Sequence, residues 1–135
     1  MKKLENVLVN LSQSQLEDFS IEMSDQRIRF KTAHYNDANI DELVFDGVKA
    51  FFYADPNENV QLSKQLPMEL SSIVFCDKGF GEFAIIASLE DHKQGNSAIE
   101  ISIPNFNLCF GEASFFIEAN SITINENRFS LKVQH

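Results

Sequence analysis

Tryptophan is absent from this chain, cysteine occurs only twice and basic residues are outnumbered almost two to one by acids. Two cysteines, Cys76 and Cys109, cannot staple a small fold, so a disulfide scaffold is excluded and both are expected as thiols in a reducing compartment. Eleven Lys and Arg against twenty Asp and Glu give a formal charge of −9. Basic side chains supply most of the affinity for phosphate backbones, so this balance argues against nucleic acid, and it disfavours an acidic membrane surface as well. No stretch approaches about eighteen consecutive apolar residues, so no transmembrane helix is predicted. The opening MKKLENVLVNL carries two lysines, but Glu5, Asn6 and Asn10 interrupt its apolar residues and no secretory h-region forms. The chain is therefore expected in the cytoplasm, where the triplet Asn10-Leu11-Ser12 has no meaning as a glycosylation acceptor.

What the chain does have is phenylalanine, 13 residues of it, with two tyrosines. Phenylalanine carries no polar handle, so most of these rings are expected in a core rather than on a recognition surface. At 135 residues, 44% hydrophobic and 23% charged, the sequence is that of one β-rich domain spanning 1–135.

Periodicity assigns the elements. Leu4, Val7, Leu8 and Leu11 fall at i, i+3, i+4 and i+7, which predicts one short N-terminal helix. From Asp18 onward the period becomes two: Phe19, Ile21 and Met23 alternate with polar residues, and Ile28, Phe30 and Thr32 repeat the pattern after SDQ, as in a hairpin with one buried face. In DELVFDGVKAFFYADP the alternation Leu43, Phe45 slips by one residue at Asp46-Gly47 and resumes as Val48, Ala50, Phe52. Asp-Gly there fits either a two-residue hairpin turn or a bulge within one strand. The run Phe51-Phe52-Tyr53 suggests a strand covered on both faces. Further short alternating segments follow at LSSIVFCD, EFAIIASLE, AIEISIP, NFNLCFGE, ASFFIEA, SITIN and RFSLKVQ. Short strands every eight to twelve residues predict a mainly β protein, an antiparallel sandwich or barrel of about eight to ten strands with the one helix.

Chemistry-bearing residues concentrate in KTAHYNDANIDELVFDGV, where His34, Asp37, Asp41, Glu42 and Asp46 lie close together. A histidine among carboxylates is the raw material of a metal site or an acid/base pair. Only His34 and Asp37 are near neighbours, however, and their spacing matches no metal motif; the stretch also lacks the glycine and closing glutamate of a calcium loop. A turn delivering a core strand is the plainer reading, with Asn36 and Asp37 making the turn through their side chains. In CDKGFGEF the glycines precede a strand-like segment rather than a helix, so they make a turn and not a phosphate cradle. Cys76 sits in an apolar alternation and is read as a buried structural thiol. His92 lies in a polar loop and His135 ends the chain, neither beside a nucleophile or a paired carboxylate. No catalytic residue, metal ligand or cofactor is assigned. The phenylalanines allow one other reading, a β-barrel whose aromatic lining holds a small apolar ligand.

The segment DANIDELVFDGVKAFFY, with its polar lead, Leu-x-Phe-x-Gly-Val centre and aromatic tail, resembles the YxiG-like family of small acidic Bacillus-type proteins and the β-rich immunity proteins of polymorphic toxin systems. GFGEFAII and IEISIPNFNLCFGEASFF are similar to the second half of those proteins, so the resemblance runs from Asp18 to Ile124. It implies a non-enzymatic cytoplasmic protein-binding module of immunity type, which would neutralise a basic toxin domain by occlusion. A basic protein is then the expected partner, because charge complementarity raises the association rate. Asp37, Asp41, Glu42 and Asp46 are the positions at which it would be met. A carrier of a small apolar ligand in a barrel cavity stands as the alternative.

Overall fold

The computed structural model describes residues 2–34, 39–54, 68–86 and 99–131. Its helix, α1 (Lys2–Leu11), forms where the helical spacing places it. Leu4, Leu8 and Leu11 are buried and Val7 packs against the same core, while Val9 on the far side is exposed. The helix stops because Gln13 takes a left-handed backbone, φ 69°. Ser14 then donates its hydroxyl to the Leu11 carbonyl at 2.6 Å, satisfying one of the oxygens that every helix C-terminus leaves bare.

The strands follow in order. β1 (Ser14–Glu22) and β2 (Arg27–Ala33) make the expected hairpin across a 3-10 turn at Met23–Asp25. After them come β3 (Ile40–Asp46), β4 (Ala50–Ala54), β5 (Met68–Leu70), β6 (Ser72–Phe75), β7 (Phe83–Ile86), β8 (Ile99–Ser102), β9 (Phe106–Phe110), β10 (Ala113–Glu118), β11 (Ser121–Ile124) and β12 (Asn127–Ser130). That makes twelve strands among the described residues, against about eight to ten expected. The difference arises from β5, three residues in a segment without clear alternation, and from the division of the stretch around Asp46-Gly47 into two strands.

All pairing is antiparallel. A large sheet has the order β12-β11-β3-β2-β1-β5, a smaller one β4-β10-β9-β6, and β7 with β8 forms a ribbon. None of the three closes on itself, so the architecture is a sandwich rather than a barrel. Aromatic rings fill the space between the two larger sheets. Phe45 of the large sheet meets Phe106 of the small one edge to face at 4.9 Å, and Phe30 meets Phe115 at 5.9 Å and Phe110 at 6.2 Å. Alternation in β9 and β10 is what delivers Phe106, Leu108, Phe110, Phe115 and Ile117 to one face.

Three expectations are corrected by how the sheets sit. Asp46-Gly47 is neither a hairpin turn nor a bulge within a strand, because the chain leaves the large sheet at Asp46 and enters the small one at Ala50. Glycine is required at the crossing: φ is +62° and a β-carbon would lie 2.5 Å from Asn120 Nδ2. Second, the run Phe51-Phe52-Tyr53 is not covered on both faces. Phe52 is covered by Phe83 at 4.4 Å, but β4 is an edge strand, and Phe51 and Tyr53 on its inner face remain 41% and 39% exposed. Third, the buried face of β1 carries Ser14 and Leu16, shifts register between Leu16 and Asp18, and has run beyond the core by Ile21 and Met23, both exposed.

The ribbon inverts its own pattern. Ile101 in β8 and Ile103 just after it are exposed, and Ser102 between them is buried. Glu118 is the cause. It lies on the outer face of the small sheet, and its Oε1 accepts from the Ser102 hydroxyl at 2.8 Å and from the Ile103 amide at 2.7 Å. Lys49 Nζ also donates to the Ile101 carbonyl at 2.9 Å. A buried carboxylate must be hydrogen-bonded, and here the ribbon supplies the donors.

Two stability outcomes follow from this packing. Phe106→Ala should lower the unfolding free energy in urea by about 3–5 kcal/mol, since neighbouring rings cannot collapse into the space, whereas Val9→Ser should stay within about 0.5 kcal/mol. Ser102→Ala should cost about 1–2 kcal/mol and speed amide exchange in β8 while β9 and β10 keep their protection.

Candidate functional site

The acids nominated by the sequence separate onto two faces of the large sheet. Asp37 lies outside the described residues. Glu42 and Asp46 share the outer face, and both meet cations there: Arg27 Nε donates to Asp46 Oδ1 at 2.6 Å, and Arg29 reaches Glu42 Oε1 at 3.6 Å while its Nε donates to Glu22 at 3.0 Å. The hydrogen bond and charge of Asp46 raise the Arg27 pKa above its ordinary value. Opposite charges on adjacent strands explain the arrangement: Glu22 stands opposite Arg27 and Glu42 opposite Lys31, and Arg29 lies diagonal to both acids.

Asp41 faces the other way. It stands directly opposite Thr32, on the face that carries Phe30 and Leu43. Its Oδ2 is 2.9 Å from His34 Nε2, an ion pair when the imidazole is protonated, and its Oδ1 accepts from Asn125 Nδ2 at 2.6 Å. Thus the structure joins His34 to Asp41, where the sequence brought it near Asp37. Asn125 is the residue that sequence reading passed over. It occupies the two-residue turn between β11 and β12, where Asn125 and Glu126 both have positive φ, 49° and 75°. Besides Asp41, Asn125 engages Glu42 twice, accepting from its amide at 2.8 Å and donating its own amide to the Glu42 carbonyl at 3.0 Å. An Asn at a paired positive-φ turn was the available signal.

A second feature lies where the two inner faces part. Ile21 and Met23 on one side and Phe51 and Phe52 on the other, with Ile28 and Val48 at the floor, line an open cleft of about 400 Å³. Arg27, Lys49 and Glu22 stand on its rim. It opens where Ile21 of β1 and Phe51 of β4 are left exposed towards the ends of their strands, and Ile85 of the ribbon also lines it.

The thiols belong to neither feature. Cys76 and Cys109 are unpaired and half-buried rather than fully buried, and Cys109 Sγ donates to Asn107 Oδ1 at 3.2 Å. His92 and His135 lie outside the described residues. Among the described residues no group of three His, Cys, Asp or Glu side chains converges as a metal site, and no helix is long and apolar enough to cross a membrane.

Asn125→Ala should cost about 1–2 kcal/mol in urea denaturation by removing the side-chain bonds and putting alanine, which tolerates positive φ less well than asparagine, at φ 49°. Asn125→Gly, which keeps the backbone free, should cost less.

Comparison with curated proteins gives no match. A family model described as YxiG-like protein matches residues 4–129, from α1 into β12. The match takes in both sheets, the ribbon and the cleft, and the chain belongs to the YxiG-like family.

Proposed function

We propose that this protein is a non-catalytic, cytoplasmic protein-binding module that neutralises a basic toxin domain by occluding it. The observation carrying this reading is the cleft at the open end of the sandwich, which leaves Ile21, Met23 and Phe51 exposed together on a soluble-protein surface. Isolated exposed apolar residues need no explanation, but a cluster rimmed by charge is the usual form of an interaction site. The strand and turn that build one wall also carry Glu17, Asp18 and Asp25, all exposed and without an ion pair among the described residues. An acidic fringe beside an apolar cleft suits a partner that offers an apolar anchor flanked by lysine or arginine. The nominated acids enter this reading unequally: Asp46 borders the cleft through Arg27, Glu42 lies on the adjoining face, and Asp41 is turned away.

The carrier reading keeps one supporting observation, since a volume of about 400 Å³ lies in the range of small-ligand sites. The phenylalanine rings occupy the centre where a barrel ligand would sit, so any such ligand would bind at the surface.

Affinity capture from the native host should yield one partner at equimolar ratio, with an association rate that falls as salt is raised. Met23→Asp and Phe51→Asp, both at exposed positions, should each weaken that complex at least about tenfold without lowering thermal stability. Recovery of no partner, or equal binding by both variants, would reject the occlusion reading. Native mass spectrometry showing a bound small molecule in place of a protein would favour the carrier.

A further inference from the structure

Successive residues of a strand point to opposite faces of its sheet. Ala50, Phe51 and Phe52 of β4 nevertheless all line the cleft at the open end of the sandwich. A cavity reaches consecutive residues of a strand only round its end or along its edge. Phe52 is the middle residue of β4, so here it is the edge that opens to the cleft. The sheet order agrees, since β4 is terminal in the small sheet and pairs with β10 alone. Every second residue of such a strand turns its N–H and C=O away from the sheet. The walls on either side of this edge are apolar, with Ile21 and Met23 from the first hairpin and Ile85 from the ribbon.

Folded proteins usually blunt an open edge with a lysine, a proline or a bulge. Within its length β4 has none of these: it reads Ala-Phe-Phe-Tyr-Ala, and its register with β10 is unbroken from Ala50 to Ala54. The charges around it favour a guest of one sign. Arg27 is held by Asp46, Lys49 Nζ donates to the Ile101 carbonyl and Glu22 accepts from Arg29. Two acids beside the cleft have no ion pair among the described residues. Asp25 lies in the turn between Met23 and Gln26, which both line the cleft, and Glu100 stands opposite Ile85 in the ribbon, on the same face.

We propose that this edge accepts an extended segment of the protein partner, one that alternates apolar with basic residues and adds to the small sheet as a fifth strand beside Ala50, Phe51 and Phe52. The proposal rests on the protein-binding reading of the cleft and adds how the partner is held. Backbone hydrogen bonds to β4 fix the register of the guest. Its apolar side chains enter between Ile21, Met23 and Phe51. The stems of its basic side chains lie along Ile85 with their charges at Glu100, and Asp25 draws a flanking cation.

Uniformly 15N-labelled protein titrated with a capped heptapeptide that alternates lysine and valine tests this directly. Saturable binding is expected, with amide shifts largest at 21–26, 50–52 and 85 and with interstrand nuclear Overhauser contacts between the peptide and the backbone of 50–52. The same peptide methylated at every backbone nitrogen keeps its side chains and charge but donates no hydrogen bond, and should bind at least about tenfold more weakly. Asp25→Lys and Glu100→Lys, both at exposed positions, should keep the fold and each weaken the lysine peptide several-fold. Glutamate in place of lysine in the peptide should abolish saturation. No localised shift at millimolar peptide, equal binding by the methylated peptide, or shifts that avoid β4 would each overturn strand addition. A protein partner whose complex leaves amide exchange at 50–52 unchanged would overturn strand addition alone, whereas saturable peptide binding with no partner captured from the host would reject occlusion alone.

Discussion

The packing of Phe30 against its neighbours is the contact on which the rest of the structure depends. Its ring touches Phe19 and Phe45 within the large sheet and Phe110 and Phe115 across the sandwich. Edge-to-face and offset geometries let each ring present its positive edge to another's negative face, and the ring is essentially inaccessible to water. Because no strand of one sheet pairs with a strand of the other, such contacts are what join them. Sheet pairing, the crossing at Gly47 and the position of α1 over β6 all presuppose that the inner faces are already apposed.

That dependence explains which parts of the fold were legible in the sequence. Helix α1 and strands β9 and β10 were readable because their buried faces follow one local period over their whole length. The ribbon was not, since Ile101 and Ile103 alternate as a buried face would but are exposed, and the decisive partner of Ser102 is Glu118, in a different strand. Asp46-Gly47 misled for the same reason: a change of sheet is a tertiary event, and the sequence pattern on either side of it is that of any strand. The candidate site divides similarly. His34 and Asp41 were both noticed, but the pairing that joins them skips the intervening Asp37, and Asn125 contributes from 84 positions away. Distances of that kind leave no periodic trace.

Net charge proved a poor guide to where acidity is displayed. Of the twenty acids, those most prominent in the sequence, Glu42 and Asp46, are matched with Arg29 and Arg27 across neighbouring strands. Exposed pairs of this type contribute little to stability, but a slip of β2 by one residue would turn Arg27 and Arg29 to the face that carries Leu43 and Phe45, away from these acids. Among the described residues the acids without an ion pair lie on the first hairpin, at Glu17, Asp18 and Asp25, and also elsewhere, including Glu69, Asp77, Glu82, Glu100, Glu112 and Glu126.

Tyr53 illustrates a further consequence of the edge position of β4. Its ring packs 5.0 Å from Phe115, half inside the sandwich and half in solvent. In a protein with no tryptophan and only one other tyrosine, the near-ultraviolet spectrum rests almost entirely on two phenols. Light emitted or absorbed by Tyr53 therefore registers the apposition of β4 and β10 beside Phe115, and the molecule carries its own optical gauge of that contact.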